Sequence, residues 1–192
     1  MMAFGFGMIL ILGGLVIVVV VGLALVGMYN QLVGLRNAVK NAFSQMDVQL
    51  KRRHDLIPNL VETVKGYMEH ERETLEAVVE ARQQAVSLTE GTAEQLKAEG
   101  ELTKTLRSLF AVAENYPDLK ANQNFLALQE EITSTENKIS FARQHYNDSV
   151  MRLNNQIEMF PSNLVASTFR FTPAVFYELE SEAERQVPKV AF

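Results

Sequence analysis

Apolar residues run without a break from Phe4 to Met28, and from Leu32 onward they thin to one position in every three or four. The first stretch is 25 residues long and uncharged, with glycine as its only non-apolar member. A helix of about 20 residues already crosses a hydrocarbon core of roughly 30 Å, so this one crosses with room to tilt. Lipid offers no partner for backbone N–H and C=O groups, so the segment must be helical despite the β-branched run Val16–Val21. Phe4, Gly14, Val20 and Met28 mark its length as a transmembrane helix. A cleaved signal peptide is the competing reading, and Gly22-Leu23-Ala24 could pass for its cleavage site. Such a peptide needs a basic opening and a shorter apolar core, and neither is present. Gly7 and Gly14, like Gly27 and Gly34, stand seven apart, which is a weak signal for close helix approach.

Beyond the span the period changes. Leu32, Leu35, Val39, Ala42, Met46 and Leu50 repeat in a three-four rhythm, one stripe of an amphipathic helix that continues from the span with no linker. At helical rise, residues 29–53 would extend roughly 37 Å. Lys51-Arg52-Arg53-His54-Asp55 followed by Pro58 suits a helix end, an N-cap and a first-turn proline, which predicts a sharp turn near His54–Asp55. One helix kinked at Pro58 is the alternative. A second helix is expected to run to about Leu88, with Ile57, Leu60, Val61, Val64, Met68, Leu75, Val78, Val79 and Val86 inward. After a break at Thr89-Glu90-Gly91, Thr92 and Gln95 form a capping box that opens a third helix to about Glu114. Asn115-Tyr116-Pro117 ends it.

The fourth helix is the clearest. Phe125, Ile132, Ile139, Tyr146, Leu153 and Phe160 recur every seven residues, beside Leu128, Thr135, Ala142 and Ser149, so bulky and small residues alternate by layer. The fold class that follows is all-α: an N-terminal transmembrane helix continuing into an up-and-down four-helix bundle. The expected organisation is 1–28 for a short external N-terminus and the span, 29–160 for the bundle, and 161–192 for an aromatic-rich tail. That tail opens with Pro161 and includes Phe169, Phe171, Phe176 and Phe192. An even number of crossings returns Phe160 toward the membrane, so these aromatics either cap the bundle or meet lipid headgroups or a neighbouring subunit.

Charge orients the chain. Residues 1–35 carry none; Arg36 and Lys40 follow the span, and no acidic residue precedes Asp47. Positive charge beside a span marks the cytoplasmic side, which puts the N-terminus outside and the domain in the cytoplasm. From Arg36 to Pro58 the balance is +3, so the remainder of a chain with net charge −5 carries −8. An acidic domain argues against nucleic-acid binding, which needs a basic surface.

Chemistry is sparse. There is no cysteine, hence no disulfide, thiol nucleophile or thiolate metal site. A di-iron bundle needs Glu three residues before His, but Lys51, Tyr67 and Ala142 stand there for His54, His70 and His145. His70-Glu71 begins a metalloprotease pattern that Thr74 breaks. No glycine-rich phosphate loop or G-x-S-x-G elbow occurs. Asn147-Asp148-Ser149, formally a glycosylation triplet, lies mid-helix on the cytoplasmic side. His54 beside Asp55 is the one candidate for a pH-responsive joint. No catalytic residue, metal, cofactor or small-molecule substrate is expected.

The run RRHDLIPNLVETVKGYMEHE (52–71) and the run ENYPDLKANQNFLALQEEITSTENKISFARQHYND (114–148) closely resemble the LemA family, a likeness that extends over nearly the whole chain. The resemblance implies a bacterial inner-membrane protein with a short external N-terminus and a cytoplasmic four-helix bundle. It implies no enzymatic activity, and it connects the chain with relatives associated with building intracellular membranes. Two functions are compatible with the sequence. One is a self-associating membrane scaffold, a homo-oligomer in contact with the lipid bilayer. The other is a membrane-tethered adaptor or signalling bundle that binds another protein through its acidic face.

Overall fold

The computed structural model describes residues 2–177, with side chains from residue 11 onward. The described chain is all-α. In order, α1 spans Met2–Lys65, α2 Arg72–Ser87, α3 Ala93–Ala113, α4 Pro117–Lys120, α5 Gln123–Glu158 and α6 Ser162–Thr168. Residues 171–177 follow without regular structure.

No turn occurs at His54–Asp55; α1 passes through both residues and through Pro58 to Lys65. The expectation of two helices here is corrected to one. The obstacle to continuity is that Pro58 lacks an N–H, leaving the carbonyl of His54 without its helical partner. A side chain from another helix fills that place: Arg82 Nε donates to His54 O at 2.7 Å. The chain reverses instead at residues 66–71, where Met68 is fully buried and its N–H bonds to Val64 O at 3.0 Å.

The chain packs as two units, Met1–Lys40 with Asp148–Ala174, and Asn41–Asn147 with Val175–Phe192. The second unit holds the larger core. Ile57, Leu60 and Val64 of α1, Leu75 and Val78 of α2, Leu102, Leu106 and Leu109 of α3, Leu119 of α4, and Phe125 and Ile132 of α5 close on one another there. Thr92 caps α3 as its sequence implies, accepting from Gln95 N at 3.2 Å, while Gln95 Oε1 reaches back to the N–H of Gly91 at 2.7 Å. Gly91 holds φ +75° with the Phe43 ring 3.8 Å from where a Cβ would stand, so this tight turn selects glycine. Val79 and Val86 do not face the core as expected; both are exposed, and Ala85 takes the inward place on α2. The reversal at 66–71 resets the helical phase, so the stripe read across residues 57–88 as one helix drifts off the core.

In the first unit Leu32 is fully buried against Val165 and Ala166 of α6, with Met28, Ile157 and Phe171 around them. The seven-residue repeat of α5 is buried from Phe125 through Leu153, but Phe160 is 78% exposed because α5 stops at Glu158 and a turn lifts it off the stripe.

Candidate functional site

Three features stand apart from an ordinary helical core. The first is the apolar part of α1. Every residue from Ile11 to Gly27 is exposed, and Val20 leaves 58% of its surface uncovered. A Cβ added at Gly14 would meet nothing within 4 Å. Met28 is half-buried, and Phe4 lies within α1 while its side chain is outside the described residues. A run of bulky aliphatic residues with no protein against it needs an apolar surrounding. The helix is long and apolar enough to cross a membrane.

The second feature surrounds the end of that stretch. Arg36 and Lys40 are both exposed, one and two turns beyond Leu32. The guanidinium of Arg36 sits 5.2 Å over the Phe171 ring, and Tyr29 stacks on Phe169 at 4.8 Å and on Phe171 at 5.8 Å. Two of the four tail phenylalanines are thus brought together on α1. Phe176 belongs to the other unit, and Phe192 lies outside the described residues.

The third was not anticipated: a closed cluster of charge inside the second unit. Arg53 is fully buried, as is Glu99; His54 and Tyr177 are nearly so. Arg53 Nη2 donates to Glu99 Oε2, and Nη1 donates to Glu136 Oε1 and, at 2.7 Å, to Thr103 Oγ1. His54 Nε2 lies 3.0 Å from Glu99 Oε1. The phenol of Tyr177 is held beside this group: Asn147 bonds its backbone at both N–H and C=O, at 2.9 and 3.0 Å, and Arg143 lies 5.6 Å over its ring.

Burial opposes charge on Arg53, but the facing carboxylates of Glu136 and Glu99 outweigh it and raise its pKa above the ordinary value. Burial likewise works to raise Glu99, and the bond from His54 and the charge of Arg53 overcome it, so its carboxyl lies below the usual range. Tyr177 is pushed up to about 12, mainly by burial, and is a neutral phenol at any physiological pH. Because the folded pKa of Glu99 is depressed, its stabilisation is complete above the unfolded carboxylate value of about 4.3 and is lost as pH falls through the lower folded value. Urea midpoints should therefore hold level down to about pH 5 and then fall, and Glu99→Gln should flatten that acid limb. A fall that survives Glu99→Gln unchanged would assign the acid sensitivity elsewhere.

The cluster consumes its own charges. The guanidinium of Arg53 is shared between two carboxylates. No group of His, Asp and Glu that could hold a metal ion occurs among the described residues. The sequence did carry a signal for this site. Arg53 falls on the three-four rhythm between Leu50 and Ile57, and Glu99 on the rhythm between Leu96 and Leu102, so each charge occupies an apolar-phase position.

Comparison with known proteins bears on the same chain. The LemA family model matches residues 42–192. Protein LemA of Metamycoplasma hominis is 27% identical over 158 residues, covering 82% of this chain and 72% of its own. Magnetosome proteins MamQ 2 and MamQ 1 of Paramagnetospirillum magneticum are each 22% identical over 175 residues, covering 78% of this chain. The chain spans 64% of the length of those two, less than two thirds.

Proposed function

The chain belongs to the LemA family, and from that premise we propose that it is a membrane-anchored, self-associating scaffold of the bacterial inner membrane that organises or remodels that membrane. The observation that carries the proposal is the uncovered apolar face of α1, continuous in one helix with residues 46–64 that enter the bundle core. Arg36 and Lys40 just beyond the apolar stretch support a cytoplasmic domain and an external N-terminus. The likeness to two proteins named for the magnetosome is consistent with such work. The reading assigns no reaction, cofactor or nucleic acid to the chain.

Mass photometry and lysine-directed crosslinking of the full-length protein in mild detergent should return one discrete multimer. A protein that stays monomeric at membrane-like density would sink the scaffold reading.

An open groove of about 880 Å³ favours the adaptor as a second reading. Val61, Met68, Leu75 and Val79 line it, with Glu62, Glu69, Glu76 and Glu80 at its rim against Lys65 and Arg72. An apolar floor with an acidic border suits a basic amphipathic segment of another protein. Reversing Glu69 and Glu80 to lysine should then abolish proximity labelling of a dominant non-self partner while leaving self-association intact.

A further inference from the structure

The region where α5 turns into α6 exposes several large apolar side chains. Within eleven residues, Met159 is 59% exposed, Phe160 78%, Leu164 58% and Phe169 59%. Bulky residues exposed singly are ordinary, but four within eleven residues of one unit ask for a covering.

Its position says what the covering is. Val165 and Ala166 of α6 pack on Leu32 of α1, and Ile157 at the end of α5 belongs to the same cluster as Met28. The Phe169 ring lies 4.8 Å from that of Tyr29. Met28 is the last residue of the uncharged apolar run, and Leu32 stands about 6 Å further along the helix at 1.5 Å per residue. The headgroup layer on each side of a bilayer is about 5–7 Å deep, half the difference between a total of roughly 40–45 Å and a core of roughly 30 Å. A span that ends at Met28 therefore sets α6 within that layer.

Charge agrees. The unit that contains α6 carries Arg36, Lys40, Arg152 and Arg170 against Asp148 and Glu158, a balance of +2, on a chain whose net charge is −5. Cations beside exposed aromatic and aliphatic groups suit a surface of anionic headgroups over acyl chains.

We propose that Met159, Phe160, Leu164 and Phe169 form a lipid-contact collar that seats α6 in the headgroup region beside the anchor. The collar rests on the reading of residues 4–28 as a span and extends it. The anchor then meets the bilayer at two places, one across it and one along its surface, and the second fixes the rotation of α1 about its own axis, which a lone span leaves free.

The chain has no cysteine, so single probes can be placed without a background. Full-length protein bearing Phe160→Cys, Leu164→Cys, Val18→Cys or Phe141→Cys, each labelled with an environment-sensitive fluorophore, would be reconstituted in vesicles of equal parts phosphatidylcholine and phosphatidylglycerol. Phe141 is 75% exposed and lies in the other unit, which makes it the matched control. The collar predicts a blue shift and loss of fluorescence at 160 and 164 with a headgroup-depth nitroxide lipid, none at 141, and quenching at 18 by a deep nitroxide. Dilution with lipid should leave these values unchanged. Quenching at 18 without quenching at 160 and 164 would overturn the collar and leave the span standing. No quenching at 18 would overturn the span and the collar with it. A blue shift at 160 that vanishes on dilution and resists the lipid quencher would assign the surface to a second copy of the chain and overturn the lipid assignment.

Discussion

Replacing Arg53 by methionine is expected to remove about 3–5 kcal/mol from the stability of the helical domain, because it leaves a buried carboxylate without its counter-charge. Glu99 is fully enclosed and cannot turn to water, so the loss falls mainly on it. Glu136 keeps 25% of its side chain exposed and has a path to solvent. A double replacement, Arg53→Met with Glu99→Leu, should therefore recover most of the loss, since both buried charges leave together. Arg53 Nε has no hydrogen-bond partner among the described residues, which makes the apolar substitute still easier to accommodate. Urea unfolding of the full-length protein in micelles, followed by far-ultraviolet circular dichroism, reads both variants. A loss below about 1 kcal/mol for the single variant would show that the cluster is solvated or rearranged in solution. Buried ion pairs contribute little net stability compared with apolar packing. What this one does is hold α1, α3 and α5 in a single register, because Arg53, Glu99 and Glu136 meet only when all three helices are in phase.

Val16→Lys together with Val20→Lys should release the chain from the membrane fraction. Each lysine near the centre of a span costs about 2.5–3.5 kcal/mol on insertion scales, so the pair costs about 5–7 kcal/mol. Both valines are more than half exposed and lie outside either buried core, so the folded domain should be unaffected. Val48→Lys, at a position 61% exposed on the same helix beyond the span, is the control and should stay with the membrane. Fractionation with alkaline carbonate washing reads the outcome. Retention of the double variant in the membrane would mean that something other than this helix holds the chain there.

Most of the helical pattern was legible in the primary structure, and the place where it misled is instructive. Lys51-Arg52-Arg53-His54-Asp55 and Pro58 together look like the end of one helix and the start of the next. Local preference lost to tertiary contacts: Arg82 took up the carbonyl that Pro58 could not bond, and Arg53 went inward. The uninterrupted phase Met46, Leu50, Arg53, Ile57, Leu60 and Val64 already argued for continuity, provided that an arginine is allowed to occupy a core position. Propensity is a weak prior wherever a buried partner can satisfy the offending group. Of the candidate positions, the uncovered apolar residues of α1 and the exposed Arg36 and Lys40 could be named from composition and charge, because both are set by local sequence. The apolar phase of Arg53 and Glu99 marked each as an inward charge, but their pairing could not be read, because Glu99 and Glu136 lie 46 and 83 residues from Arg53.

The amino-acid sequence alone determined the uncharged apolar run, the helical period that follows it, the capped start of α3, the heptad of α5 and the membership of a family. Each of these depends on residues within a few turns of one another, where the spacing of side chains is set by the helix itself. Only the tertiary structure decided that α1 ignores its proline, that Val79, Val86 and Phe160 face outward, and that Arg53 is shared between two carboxylates. Those outcomes depend on which surface of each helix is left after the others have packed, and on burial making an unpaired charge or carbonyl too costly to tolerate. Neither quantity is a property of any single segment.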